Sequence, residues 1–183
     1  DHVKLVDRAV KAITKDGILD AENYNHNFDV IIYATGFNPF NILSSMEVKG
    51  AEGVTLADCW QDNIQSHKTV AVSGFPNFFM LLGPNSALGH NSVILMIEAQ
   101  VNYIVKCLKK MRKNGWTSLD PKSVSQDKFN NFIQKRLQGT VWQGSCSSWY
   151  KDGDGQNFTI WPLSATRYML SMRKPDFSEY NVK

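Results

Sequence analysis

The stretch GFPNFFMLLGPNSALGHNS, from Gly74 to Ser92, decides how the chain is interpreted. It is rich in Gly, Pro and Asn, which interrupt regular structure, yet the apolar run Phe78–Leu82 lies in its middle. Directly after it, apolar residues recur every three or four positions, which is typical of an α-helix. The stretch therefore predicts a strand that passes through a tight loop into the start of a helix.

The predicted helix runs from about Ser92 to Asn114, and Gly115 follows as a typical helix end. Its core-facing side is predicted to be the apolar series Ile94, Ile97, Val101, Ile104, Leu108 and Met111. A second amphipathic helix follows, with Ser125 as its N-cap. Its predicted inward residues are Phe129, Phe132, Ile133 and Leu137.

The loop between strand and helix has the chemistry of a binding site. A helix start carries unpaired N–H groups and roughly half a positive charge, which favour an anion or an electron-rich group. Glycines let a flat ligand approach the backbone closely. Hydrogen-bonding side chains are also present: Asn85, Ser86, His90, Asn91 and Ser92. On these residues alone, an ordinary strand–turn–helix connection stays open, because the loop matches neither GxxxxGK[ST] nor GxGxxG.

The first part of the chain has β character. Val3–Val6 is predicted as a short strand, Asp16-Gly17 as a hairpin turn, and Phe28–Thr35 as a strand buried on both faces. Residues 36–68 are irregular, and Thr69–Val72 and Phe78–Leu82 are predicted as further short strands. The pattern predicts an α/β fold with a β-rich start and two long helices.

Composition narrows the class of protein. The 183 residues carry a net charge of +3 from 20 basic and 17 acidic residues, too balanced to favour nucleic acid or an anionic membrane as a partner. One basic cluster ends the first long helix, where it complements the helix dipole: Lys106, Lys109, Lys110, Arg112 and Lys113. No apolar run is long enough to predict a membrane span.

Cysteines and acidic residues do not predict a metal site. Cys59, Cys107 and Cys146 have no CxxC or Cys/His spacing, which favours a reducing, cytoplasmic compartment. Cys146 also has no partner histidine nearby in sequence. Asp152, Asp154 and Asn157 are read as a turn, because an EF-hand would need a distal Glu and flanking helices. The aromatic residues are predicted to form a packed cluster: Trp142, Trp149, Tyr150, Phe158, Trp161 and Tyr168.

Three motifs carry a resemblance to a known family. DVIIYATGF, from Asp29 to Phe37, resembles the ATG-type hinge of two-dinucleotide-binding flavoprotein monooxygenases. The Gly74–Ser92 stretch with MIEAQVNYI (Met96–Ile104) resembles the FAD-domain signature of the Baeyer–Villiger group, and CSSWYKDGDGQNFTIWP (Cys146–Pro162) resembles the tail of such enzymes. Their order is that of the family. The chain thus resembles the C-terminal part of a Baeyer–Villiger-type enzyme with a doubly wound, Rossmann-like FAD/NAD(P)-binding fold.

The resemblance implies FAD and NADPH as cofactors of the complete enzyme and assigns a flavin-lining loop. Its implied residues are Gly83, Pro84, Asn85, Leu88, Gly89, His90, Asn91 and Ser92. Ala34, Thr35 and Gly36 would form the crossover between the two dinucleotide domains. No catalytic residue is assigned, because the arginine that the family places beside the flavin lies, in the family's order, upstream of this chain. The two GxGxxG motifs of the family are also absent from the sequence.

The implied domain pattern has four parts: residues 1–33 as the tail of the NADPH domain, 34–68 as crossover and linker, 69–170 as part of the FAD domain and 171–183 as a polar tail. The whole enzyme would insert oxygen from O₂ next to a ketone carbonyl through a peroxyflavin. The expected partner is the missing N-terminal part of the same enzyme, and the chain alone is expected to be inactive. Two alternatives stay open: an N- or S-hydroxylating monooxygenase on the same scaffold, and a non-catalytic remnant or interaction module.

Overall fold

The chain divides into two units, residues 1–37 and 38–183, in a computed structural model. The structure describes residues 2–36, 46–61, 63–144, 150–151 and 155–183. No helix in these ranges is both long enough and apolar enough to cross a membrane.

The first unit is a three-stranded antiparallel meander. Strands β1 (Val10–Thr14), β2 (Gly17–Asp20) and β3 (Asn25–Asn27) pair in that order, and Thr14 opposes Gly17. The predicted hairpin is confirmed, although the turn consists of residues 15 and 16, one position earlier than expected.

One buried carboxylate organises this meander. Asp20 accepts hydrogen bonds from the backbone N–H groups of Glu22 and Tyr24 and lies 3.0 Å from both His26 Nε2 and Arg8 Nη1. The His26 contact, with the backbone and Arg8 contacts, holds the pKa of Asp20 well below its usual range. The carboxylate therefore stays ionised and joins Arg8, just before β1, to His26 of β3 and to the turn between β2 and β3.

Two predicted strands of this unit are wrong. Val3–Val6 and Phe28–Thr35 have no regular structure, and Ile32 is 86% exposed. A strand that is buried on both faces needs neighbours along both edges and a layer on each side. Among the described residues of this unit, Phe28–Thr35 has neither neighbouring strands along its edges nor a packed layer on each side.

The second unit is built around one long helix. Its helices are α1 (Leu56–Cys59), α2 (Val93–Asn114), α3 (Ser123–Leu137) and α4 (Ala165–Met172). A small antiparallel pair, β4 (Leu119–Pro121) and β5 (Tyr180–Val182), closes the unit, and single 3₁₀ turns lie at Val141–Gln143 and Phe177–Glu179. Side chains of α2, α3 and α4 form the main core, which includes Met96, Tyr103, Cys107, Ile133, Leu137, Tyr168 and Met172.

The predicted bounds of α2 are confirmed. Ser92 is the N-cap, and its Oγ accepts a hydrogen bond from Ile94 N at 3.2 Å. Gly115 ends the helix with φ 70° and donates to the carbonyl of Met111.

The predicted core-facing side of α2 is wrong for most of its members: of the predicted series, Met111 is buried and Ile104 is half-buried and packs against the core. The buried residues are Met96, Gln100, Tyr103, Cys107 and Met111, whereas Ile94 and Leu108 are 57% and 50% exposed. The helix is apolar on two adjoining sides. Periodicity detects both, but it does not say which one faces the core of this chain.

Other local predictions need correction. Helix α3 begins at Ser123 after Lys122, so Ser125 is not its cap, and Phe132 is 41% exposed below Arg136. Thr69–Val72 and Phe78–Leu82 are irregular, although Met80 N donates to Val70 O at 2.8 Å. Thr69 and Leu82, at the outer ends of these two segments, both have a positive φ.

The last residues do not behave as a free polar tail. Pro121 opposes Tyr180 in the β4–β5 pair, and Tyr180 is buried. Its hydroxyl lies 2.8 Å from that of Tyr103 on α2. The end of the chain is therefore fixed to the central helix.

Candidate functional site

The loop from Gly83 to Ser92 has two parts with different surroundings. Residues 83–88 are buried or half-buried, and we call them the inner loop; residues 89–92 are exposed, and we call them the outer loop. The inner loop is fixed to the core by hydrogen bonds. The outer loop leads directly into helix α2.

Asn85 is the main anchor of the inner loop. It is 1% exposed, has φ 60°, and donates through Nδ2 to the carbonyls of Asn157 (2.8 Å) and Ile160 (3.2 Å). Its backbone N–H donates to Phe158 O at 2.6 Å, and a parallel bridge joins Ala87 to Ile160. Asn85 therefore shapes the loop from within, and its side-chain Nδ2 group donates to the protein backbone.

A buried polar network fixes the segment just before the loop. Gln100 of α2 accepts a hydrogen bond from Leu82 N at 2.9 Å and donates to Thr69 Oγ1 at 3.0 Å. Thr69 Oγ1 also pairs with the hydroxyl of Tyr168 at 2.5 Å. Burial raises the pKa of Tyr168 to about 12, so this hydroxyl stays neutral.

This network holds two strained backbone positions. Thr69 has φ 64° and Leu82 has φ 52°, and a positive φ is unfavourable for side chains other than Gly and Asn, above all for a β-branched one. Strain of this kind persists only where surrounding contacts determine the backbone, and it is common at functional sites. Gln100 and Tyr168 supply those contacts.

Gly83 packs directly on this strained corner. A Cβ at Gly83 would lie 2.5 Å from Thr69 O and 2.6 Å from Met80 Sδ. Below it, Ser86 Oγ donates to Gly83 O at 2.6 Å and Ser66 Oγ donates to Pro84 O at 3.2 Å. The loop thus begins where only glycine fits.

The outer loop presents the start of α2 to solvent. Gly89 lies against the ring of Trp142, because a Cβ there would be 2.4 Å from the indole. His90, Asn91 and Ser92 are exposed. The first turn of α2 contains no acidic residue, so the positive end of a 22-residue helix is not neutralised by its own side chains. The electrostatics of this helix start favour a negatively charged or electron-rich group.

The crossover motif and the predicted acidic turn are two other features singled out from the sequence. Ala34, Thr35 and Gly36 belong to the first unit, where they are irregular and exposed, and the last residue of that motif, Phe37, lies outside the described residues. Asn157 Oδ1 accepts from Thr159 N and Ile160 N, as in a turn. Four residues considered from the sequence also lie outside the described ranges: Cys146, Trp149, Asp152 and Asp154.

The aromatic cluster is confirmed for its described members. Trp142 meets Tyr150 with ring centroids 5.3 Å apart, and Trp161 meets Tyr168 at 5.1 Å. Phe158 is also buried, at 4% exposure. The rings pack behind the loop, so they support it and do not form a separate site.

Sequence reasoning missed the residues that fix the loop from α2 and α3. Gln100 and Asn130 are buried amides, and Asn130 Nδ2 donates to Ser66 O at 2.9 Å below Pro84. A signal was present, because Gln100 interrupts the apolar side formed by Met96, Tyr103 and Cys107. A polar residue in such a position is expected to have a buried partner.

A buried histidine next to Ser66 gives the fold a pH dependence. His67 is fully buried between the rings of Phe129 and Tyr180, and its Nε2 lies 3.3 Å from Glu179 without hydrogen-bond alignment. Burial, with the nearby Lys68 charge, lowers the pKa of His67 from 6.5 to about 4. The effect of burial on the pKa of His67 therefore outweighs the effect of the nearby Glu179 carboxylate.

We expect the free energy of unfolding to fall by about 3 kcal/mol as the pH decreases from about 6.5 to about 4. In this range the unfolded chain binds a proton on His67 that the folded chain excludes, and above it both states are neutral. His67→Gln is expected to reduce this slope in urea unfolding measured at several pH values. His2→Gln, at an exposed position, is the matched control. An unchanged slope in His67→Gln would show that other groups set the pH dependence.

The class of the fold follows from its structural neighbours. The chain superposes on a complex of OTEMO with FAD and NADP with a TM-score of 0.75 and 21% identity, over 96% of this chain and 34% of that one. It superposes on closed cyclohexanone monooxygenase with a TM-score of 0.74 and 22% identity, over 95% of this chain and 34% of that one. The predicted class is confirmed: this is an α/β chain with the fold of part of a Rossmann-like flavin monooxygenase.

Sequence relatives make the assignment more specific. The chain is 36% identical over 180 residues to a Baeyer–Villiger monooxygenase of Pseudomonas aeruginosa and 34% identical over 183 residues to one of Streptomyces coelicolor. These matches include 97% and 99% of this chain but only 34% and 35% of the relatives. No family model matches the chain. The resemblance read from the motifs is confirmed: the chain is a homologue of a segment, about a third in length, of Baeyer–Villiger-type monooxygenases.

Proposed function

We propose that this chain is the C-terminal part of an NADPH- and FAD-dependent monooxygenase that inserts oxygen next to the carbonyl of a ketone. The observation that carries the proposal is the fixed loop at the start of α2, in a chain whose relatives are named Baeyer–Villiger monooxygenases. A neighbour of the same fold is a complex with FAD and NADP.

In this proposal the two parts of the loop have different tasks. The outer loop, from Gly89 to Ser92, lies at the flavin, and the positive end of α2 stabilises negative charge on the flavin edge. The inner loop does not move during the reaction, because Gly83, Pro84 and Asn85 are fixed from behind. Leu88, the last residue of the inner loop, is half-buried and packs against the main core. FAD supplies the redox chemistry and NADPH the hydride.

We also propose the domain roles that the motifs imply. Residues 1–33 end the NADPH domain, Ala34–Gly36 begin the crossover and linker that extends to residue 68, and residues 69–170 belong to the FAD domain. The partner is the N-terminal part of the same enzyme, which would carry both dinucleotide motifs. The cytoplasm is the proposed compartment, in keeping with the free thiols of Cys59 and Cys107.

The test uses the complete enzyme, with cyclic ketones, amines and sulfides offered separately. We expect NADPH consumption to match lactone or ester formation from the ketone. The isolated chain should show no tight FAD binding and no NADPH oxidation. Oxygenation of amines or sulfides without any lactone would replace the proposal with an N- or S-hydroxylating enzyme. Absence of all product and of bound FAD in the complete protein would support a non-catalytic module.

A further inference from the structure

We infer that the exposed apolar side of α2 is the surface on which the remainder of the flavoenzyme packs. This inference rests on the proposed function for the identity of the partner. The surface, here named the outer stripe, consists of Ile94, Val101, Val105 and Leu108, which are 57%, 42%, 39% and 50% exposed.

The outer stripe is one continuous side of the helix. Its members recur at steps of three, four and seven residues, which places them above one another on an α-helix. Ile97 and Ile104 are half-buried and join the stripe to the core-facing side. Scattered exposed apolar residues need no explanation, but a contiguous apolar patch marks an interaction surface.

The length of the stripe indicates what kind of partner it fits. From Ile94 to Leu108 it extends roughly 21 Å at about 1.5 Å per residue, too long for one small ligand and suited to a helix or sheet face. The matched relatives contain about two thirds of their length beyond the region that this chain covers. A layered α/β domain buries its central helices on more than one side. The uncovered portion of the enzyme is therefore the occupant that fits.

Charge argues against a second copy of the chain as the occupant. The second half of α2 carries Lys106, Lys109, Lys110, Arg112 and Lys113, whereas Glu98 is its single acidic residue. A parallel pair of such helices would bring the basic ends together. An antiparallel pair would place each basic end beside the positive end of the other helix dipole. In the antiparallel pair, Glu98 of each helix would be the single acidic residue facing five basic ones, so a partner of different sequence fits the stripe better.

Cysteine labelling tests the outer stripe without disturbing the core. The background is Cys59→Ser with Cys146→Ser; Cys107 stays, because burial raises the pKa of its thiol to about 12 and makes it unreactive. Val101→Cys and Leu108→Cys report on the stripe, and Asn102→Cys and Lys109→Cys, exposed residues of the same helix turns, are matched controls. Each variant is made in the 183-residue chain and in the complete enzyme, and the rate of reaction with a maleimide is measured.

The stripe cysteines are expected to react readily in the isolated chain and at least about tenfold more slowly in the complete enzyme, where reaction would require local opening. Asn102→Cys and Lys109→Cys are expected to show a smaller difference in labelling rate between the two proteins. That difference is the reference against which protection of the stripe cysteines is judged. Equal stripe labelling in both proteins would overturn the inference. Concentration-dependent protection in the isolated chain would also overturn it, in favour of self-association. Labelling does not depend on catalytic turnover. If the stripe cysteines were protected in an enzyme that forms no lactone, the packing surface would be supported and the proposed function would be contradicted.

Discussion

Replacing Asn85 with alanine is expected to lower the free energy of unfolding by about 3 to 4 kcal/mol, which is large for one exchange. The change removes both side-chain hydrogen bonds to the carbonyls of Asn157 and Ile160 in a site that is 1% exposed. The buried carbonyl of Ile160 loses this donor, which costs about 1 to 3 kcal/mol, whereas the carbonyl of Asn157 keeps the hydrogen bond from Gln134 Nε2 at 3.0 Å. Alanine is also less suited than asparagine to φ 60°.

Urea unfolding of the chain followed by circular dichroism measures this loss. Asn91→Ala is the matched control, because Asn91 is exposed and its side chain only accepts from the next residue, Ser92 N. Asn85→Gly separates the two causes, since glycine accepts a positive φ but cannot restore the hydrogen bonds. If Asn85→Ala were as stable as Asn91→Ala, the anchoring role of Asn85 would be disproved.

The second large effect is expected for Gly83→Ala, with a loss of about 2 to 4 kcal/mol. The added methyl group would lie 2.5 Å from the backbone oxygen of Thr69. Met80 could move its flexible side chain away, but Thr69 is held by Gln100 and Tyr168 and cannot yield without breaking that network. The variant should therefore displace the loop as well as weaken the fold.

Two measurements separate these consequences. Chemical unfolding gives the loss of stability, and FAD retention by the complete enzyme during gel filtration gives the displacement of the loop. Gly144→Ala is the control, because a Cβ there would be 3.4 Å from Val141 O, an almost ordinary contact. We expect both properties of Gly144→Ala to be close to the parent. A Gly83→Ala enzyme with parental stability and FAD content would show that the corner adapts to the extra methyl group.

Local signals in the sequence predicted those parts of the fold that depend on neighbouring residues. The bounds of α2 follow from Ser92 and Gly115, whose capping roles act within one turn of the helix. The hairpin near Asp16 is also local. By contrast, the direction in which α2 faces depends on residues that are far away in the chain, and the apolar series beginning at Ile94 was assigned to the wrong side.

In the candidate site, too, local features were predictable and features that depend on distant residues were not. The motif predicts the loop as a site, and that role stays a prediction; the structure shows that its outer part, residues 89–92, is exposed. The tasks of the inner residues were not predictable: Asn85 was expected to line a cofactor, but its side chain is occupied by the backbone of residues 157–160. The role of Gln100 was not predictable, because its two partners, Leu82 and Thr69, are 13 residues apart and come together only in the folded chain.

The distance along the chain between Asn85 and its anchor at Ile160, 75 residues, sets an order of events during synthesis. A ribosome adding about 5 to 20 residues per second needs roughly 4 to 15 seconds to proceed from one to the other. During that interval the inner loop has been made but has none of its distant carbonyl partners. A truncated translation product that stops before Asn157 would contain every residue of the loop but none of the carbonyls of residues 157–160 to which Asn85 donates.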